Sequence, residues 1–176
     1  MLPKKPITDR TPRTKTPEQA MASLMRLCAR AEKCEGDARR LMRRWGLSDA
    51  DARKVLARLV SDRFIDDQRY ATLFVRDKMQ LSGWGAYKIR TALRRKEVAT
   101  EIIDEALGQL DPTRMAERLG EQLQRKLRTT KAKTPYDLRT KLFRYGLSLG
   151  YDFETVREAV DLVMSNEHEQ CDDFSF

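Results

Sequence analysis

The stretch Phe64-Ile65-Asp66-Asp67-Gln68-Arg69-Tyr70-Ala71 ends one helical hairpin and begins the next. To its left, Ser48 to Asp62 reads as an amphipathic helix, and to its right Asp67 to Gln80 reads as another. Asp66 suits the cap of the second helix, because its carboxylate accepts from N–H groups left unpaired in a first turn. Asp67 in that turn suits the positive end of the helix dipole. Ile65 before the cap and Tyr70 in the helix have the spacing of a hydrophobic staple. Arg69 has two readings: it pairs with Asp66 or the preceding hairpin, or it faces a partner.

Working outward, the same helix signals recur. Thr16-Pro17-Glu18-Gln19 predicts a capping box and a first helix to about Glu32. A second helix covers roughly 36–45 and stops at Gly46, and a third opens at Ser48. Beyond the fourth, Ser82-Gly83-Trp84-Gly85 breaks the chain. A fifth helix spans about 86–96, and Thr100 is read as the cap of a sixth. Asp111-Pro112 opens a seventh helix to about Leu127, Thr134-Pro135 an eighth to near Gly150, and Asp152 a ninth through Val163. With only 8 Gly and 6 Pro and these helix signals, the fold class is all-α with short connections.

The order long helix, basic helix, short apolar helix occurs three times. Val98 to Leu107 is matched by Leu47 to Leu56 and by Tyr151 to Val160, and the eighth helix is about one turn longer than its counterparts. The expected organisation is a disordered basic arm at 1–15, three-helix repeats at 16–65, 66–110 and 111–164, and an acidic tail at 165–176. Such small units bury enough surface only by sharing a core with their neighbours.

Lys and Arg number 35 against 27 Asp and Glu, so the formal charge is +8 and a polyanionic partner is favoured. The three cysteines, Cys28, Cys34 and Cys171, and the single His168 fit no metal-ligand spacing. The free thiols, the lack of an apolar leader segment and the lack of a membrane-length run predict a cytoplasmic protein without cofactor. No nucleophile–base set, phosphate-cradling Gly loop or HExxH spacing is present, so no catalytic residue is assigned.

The chemistry lies in the middle helices. Ala38, Leu41, Met42 and Trp45 cluster on one side of the second helix, leaving Arg39, Arg40, Arg43 and Arg44 on the other. In the fifth helix, Ile89 and Leu93 repeat the apolar phase, and Arg90, Arg94 and Arg95 repeat the basic one. The eighth helix stays basic through Arg139, Lys141 and Arg144, and the loop before it adds Lys126, Arg128, Lys131 and Lys133. Recurrence at one phase predicts a stripe for phosphates or an acidic protein groove; solvated helix faces are the other reading. Trp84 either packs on the fourth helix or stacks on a base. Tyr87 is exposed by pattern.

Phe64-Ile65-Asp66-Asp67-x-Arg69-Tyr70-Ala71, Phe74-Val75-Arg76, Gly85-x-x-Lys88-Ile89-x-x-x-Leu93-Arg94-x-Lys96-x-Val98 and Ile103-x-Glu105-Ala106-Leu107 together resemble the RecX family, regulators of the RecA recombinase. The resemblance is specific from Leu47 to Leu107. It departs at Gly85-Ala86, where the family often has Gly-Pro. It implies three tandem three-helix, helix-turn-helix-like units forming an elongated curved array. It also implies a monomer that binds the RecA filament on single-stranded DNA and inhibits its ATPase, strand-exchange and co-protease activities. Duplex contact through phosphates is a further expectation. Asp66, Asp67 and Tyr70 are then architectural, and Arg69 sets the angle between units. Two alternatives remain: a stand-alone tandem helix-turn-helix DNA binder, and a helical-repeat scaffold without catalysis.

Overall fold

The computed structural model describes residues 14–172, with side chains through residue 166. Among the described residues every regular element is an α-helix, and there are nine. They are α1 (Pro17–Cys28), α2 (Glu35–Arg44), α3 (Asp49–Ser61), α4 (Asp67–Ser82), α5 (Ala86–Arg95), α6 (Thr100–Gly108), α7 (Pro112–Thr129), α8 (Pro135–Ser148) and α9 (Phe153–Asp172). The fold is an all-α helical repeat. The chain divides into two compact units, Met1–Tyr70 and Ala71–Phe176. No helix among the described residues is long and apolar enough to cross a membrane.

In the first unit the capping box forms in full. Gln19 N–H donates to Thr16 Oγ1, and Thr16 N–H donates back to Gln19 Oε1. The helix that follows is shorter than its sequence suggests and ends at Cys28, not near Glu32. No Gly or Pro marks that end. The chain leaves the helix there because Cys34 is needed, fully buried, as the extended N-cap of α2, where its Sγ accepts from Asp37 N–H. The apolar faces of α1, α2 and α3 meet in a core of Leu24, Ala38, Met42, Val55, Leu56, Leu59 and Ile65. Lys15, assigned from sequence to the basic arm, is ordered: its N–H donates to Trp45 O, and its ammonium lies 3.6 Å from the Trp45 ring centre. Residues 1–13 of that arm lie outside the described residues.

In the second unit, Leu119, Leu123, Leu142, Leu149, Tyr151, Val156, Val160 and Val163 form the core among α7, α8 and α9. Asp111, Thr134 and Asp152 cap their helices as the sequence predicts. Thr100 does not cap α6; the N-cap is Ala99, with no side-chain bond. Burial decides this register. Val98 and Ile103 must both reach the interior, and that places Ala99 where Ser48 and Asp152 stand in the other repeats. At its far end α9 continues to Asp172, well past Val163, into the segment assigned to the acidic tail. The side chains of His168, Cys171 and the acids Glu167, Glu169, Asp172 and Asp173 lie outside the described residues.

The N-terminus of α5 has no side-chain cap, because its N-cap is Gly85. The turn between α8 and α9 supplies the acceptors instead. Gly85 N–H donates to Leu149 O at 2.8 Å and Tyr87 N–H to Gly150 O at 3.1 Å, while Lys88 Nζ reaches Ser148 O. Gly150 sits at φ +89°, in the left-handed region where only glycine is unstrained. A Cβ on Gly85 would meet the Gly150 carbonyl at 2.4 Å. The two glycines thus let one backbone terminate a helix for another.

Candidate functional site

At the opening stretch, Asp66 caps α4 as expected, accepting from Arg69 N–H at 3.0 Å. Asp67 does more than face a dipole. Its Oδ1 accepts from Glu35 N–H at 2.8 Å, closing the first turn of α2 from a distant part of the chain. Burial pushes the Asp67 carboxyl above its ordinary range, against the lowering effect of that hydrogen bond, and the Glu35 charge adds to the rise. Arg69 pairs with the preceding hairpin. Its Nε and Nη2 clamp both Glu32 oxygens at 2.9 and 3.0 Å, and Asp66 is more distant at 3.9 Å. That two-toothed bond to Glu32 holds the guanidinium proton above its usual range. Tyr70 is buried. All four motif residues therefore sit in architecture within the first unit.

The arginine phases of α2 and α5 are equivalent in detail. Each helix is followed by a residue of positive φ, Gly46 at +74° and Glu97 at +64°, with Gly150 at +89° after α8. Counted back from these residues, Ala38 and Met42, Ile89 and Leu93, and Leu142 and Gly146 are the buried pairs. Arg39, Arg43 and Arg44 then correspond to Arg90, Arg94 and Arg95. Arg43, Arg44, Arg94 and Arg95 are exposed, Arg39 is paired with Glu35, and Arg90 with Asp104. Arg39 and Arg43 line a cavity of about 130 Å³ with Leu47, Ala52 and Arg53.

In the third repeat the same count reaches Phe143, Leu147 and Ser148. The extra turn of α8 lies at its N-terminal end, and by the same count Arg144, exposed, takes the place of Arg40 and Arg139 that of Glu35. Arg139 instead pairs with Asp161 of α9 at 2.6 Å. Phe143 packs edge-on against Phe153 with ring centres 4.9 Å apart, and Leu147 and Phe153 are exposed. The position that is basic in two repeats is apolar in the third.

Lys126 lies over the Tyr145 ring at 5.5 Å, and Arg128, Lys131 and Lys133 are exposed. Trp84 lies between Lys78 of α4 and Lys88 of α5, at 4.9 and 4.8 Å from its ring centre. Tyr87 is exposed. Sequence reasoning passed over Arg118 and Arg125, which join Lys126 around a second cavity, of about 280 Å³. Their spacing along α7, opposite Leu119 and Leu123, was the signal available. Among the described residues no group of three His, Cys, Asp or Glu side chains is placed to hold a metal.

Residues 66–107 match the family model described as RecX, second three-helix domain, and residues 114–160 the one described as RecX, third three-helix domain. Regulatory protein RecX of Chlorobaculum tepidum is 30% identical over 153 residues, covering 87% of this chain and 93% of that protein. The protein of the same name from Clostridium beijerinckii is 30% identical over 154 residues, covering 86% and 70%. That from Clostridium botulinum is 35% identical over 107 residues; the match spans 59% of this chain and about half (49%) of that protein's length. A crystal structure of regulatory protein RecX superposes with a TM-score of 0.77 at 21% identity, covering 82% of this chain and 73% of that one. The structure of RecX from Lactobacillus salivarius gives 0.71 at 16% identity, covering 84% and 96%. At those identities the superpositions speak to the fold.

Proposed function

The chain belongs to the RecX family of regulatory proteins, and on that premise we propose that it binds the RecA filament on single-stranded DNA and inhibits its ATPase, strand-exchange and co-protease activities without catalysis of its own. One observation carries the reading: arginines recur at one phase of equivalent helices, Arg39, Arg43 and Arg44 on α2 and Arg90, Arg94 and Arg95 on α5. A filament presents the same surface again at each subunit, so a partner with a repeated charge pattern gains contact at more than one place. Guanidinium groups suit carboxylates and phosphates alike, and a filament on DNA offers both. The third repeat contributes the apolar Phe143–Leu147 face, with the exposed Arg144 beside it.

The test is RecA ATPase on single-stranded DNA, with wild-type protein and with Arg43→Glu/Arg94→Glu. Both side chains are exposed, so the pair leaves the cores intact. Wild-type protein is expected to inhibit, and the double reversal to weaken inhibition about tenfold or more, given about 1 kcal/mol or more per lost charge contact. Unchanged inhibition by the pair removes the arginine assignment. No inhibition by the wild type removes the reading.

A further inference from the structure

We infer that the seam between the C-terminal end of α4 and α7 is a binding track for a single nucleic-acid strand, held by its phosphates. This deepens the function proposed above and rests on it, by assigning the strand residues other than the arginines of α2 and α5. Arg114, Arg118 and Arg125 lie on one side of α7, opposite the buried Leu119 and Leu123. They span about 17 Å along the axis, at about 1.5 Å rise per residue. Two cavities open along this side. One, of about 240 Å³, is lined by Arg114, Arg76 and Gln80. The other, of about 280 Å³, is lined by Arg118, Arg125, Lys126 and Leu81. Arg118 joins them: it lines the second and donates to Gln80 O at 2.9 Å beside the first.

The charge of the seam is positive after its own ion pairs are counted. Glu121 is shared between Arg118 at 2.7 Å and Arg125 at 3.4 Å, Asp111 lies 3.8 Å from Arg114, and Asp77 lies 3.5 Å from Arg76. One carboxylate serving two guanidinium groups leaves a net positive charge, and Lys126 adds an ammonium held over an aromatic ring. Arg125, Lys126 and the Ser82 hydroxyl on this wall are donors of the kind that meets phosphate oxygens. A duplex keeps its bases stacked inside, whereas a single strand can offer one to an apolar surface. Leu81, 80% exposed at the rim, supplies an apolar surface for a base.

The experiment is anisotropy of a labelled oligothymidylate titrated with the full chain across a salt series, with circular dichroism of every variant. Arg125→Gln/Lys126→Gln removes two cations outside the core, and Arg43→Gln/Arg94→Gln removes two from the arginine faces. The α7 pair is expected to weaken binding about fivefold to tenfold at low salt and to flatten the dependence of log K on log salt by about 1–1.5. Unchanged affinity and slope in a folded α7 pair overturns the inference. So does a polyglutamate peptide that binds wild type more tightly than the oligonucleotide and loses that binding in the α7 pair. The filament reading is judged separately, by ATPase inhibition: an α7 pair that loses the oligonucleotide supports the track even if wild-type protein fails to inhibit RecA.

Discussion

Replacing Gly85 with Ala tests the joint that orders the second unit. The added Cβ would sit 2.4 Å from the C and O of Gly150 and 2.5 Å from Tyr151 N. Non-bonded carbon atoms rest at about 3.5–4.0 Å, so the two backbones must part by about 1 Å or more. No rotamer change relieves the clash, because every atom met is backbone. Parting them breaks the 2.8 Å bond from Gly85 N–H to Leu149 O and stretches the 3.1 Å bond from Tyr87 N–H to Gly150 O. With no side-chain cap in reserve, each lost bond leaves a helix N–H unpaired, at about 1–2 kcal/mol. The expected loss is therefore about 2–4 kcal/mol, or roughly 4–16 °C in Tm for a chain of this size. Urea unfolding followed by far-ultraviolet circular dichroism reads it directly. Gly120→Ala in α7 is the control, since its Cβ meets nothing within 4 Å. That variant should gain up to about 1 kcal/mol from helix propensity. If Gly85→Ala stays within about 0.5 kcal/mol of wild type while Gly120→Ala gains as stated, the close glycine packing does not hold the joint.

Three further outcomes follow from single side chains. Asp67→Ala should cost about 1–2 kcal/mol by orphaning Glu35 N–H, whereas Asp67→Asn keeps an acceptor and sheds the burial of a charge. Because the Asp67 pKa is raised, its charged form costs stability above the carboxylate range, so any advantage of Asn is present at neutral pH and fades as pH falls; thermal melts at neutral and acid pH compare them. The Tyr151 hydroxyl is buried without a hydrogen-bond partner, and burial pushes its pKa up to about 12, with Arg118 pulling the other way. Its raised pKa adds stability that is complete below the ordinary value near 10 and lost as pH rises through 12, so Tyr151→Phe should match or exceed wild type at neutral pH and escape a loss of about 2–3 kcal/mol in urea melts between those pH values. Glu97→Gly should raise stability by about 0.5–1 kcal/mol in the same melts, because Glu97 holds φ +64° where the other repeats have glycine.

The sequence by itself determined the helices and the arginine phase, because both are local. A cap needs only the residue and the three that follow, so Thr16, Ser48, Asp66, Asp111, Thr134 and Asp152 could be placed unaided. An amphipathic face needs only the helical period, which separated Arg43 from Met42 and Arg94 from Leu93. The extra turn of α8 was also legible as length, though not the end at which it lies, and so the apolar Phe143–Leu147 face was missed. The rest depended on residues far apart in the chain. Asp67 closes α2, Arg69 clamps Glu32, Ala99 stands as a cap without a capping side chain, and the α8–α9 turn terminates α5. Each is a backbone or charged group meeting a partner more than thirty residues away, or a register set by burial of its neighbours, and no local pattern records which partner that will be. Arg118 and Arg125 belong with these: their spacing was visible, but the cavity they line exists only once the C-terminal end of α4 meets α7.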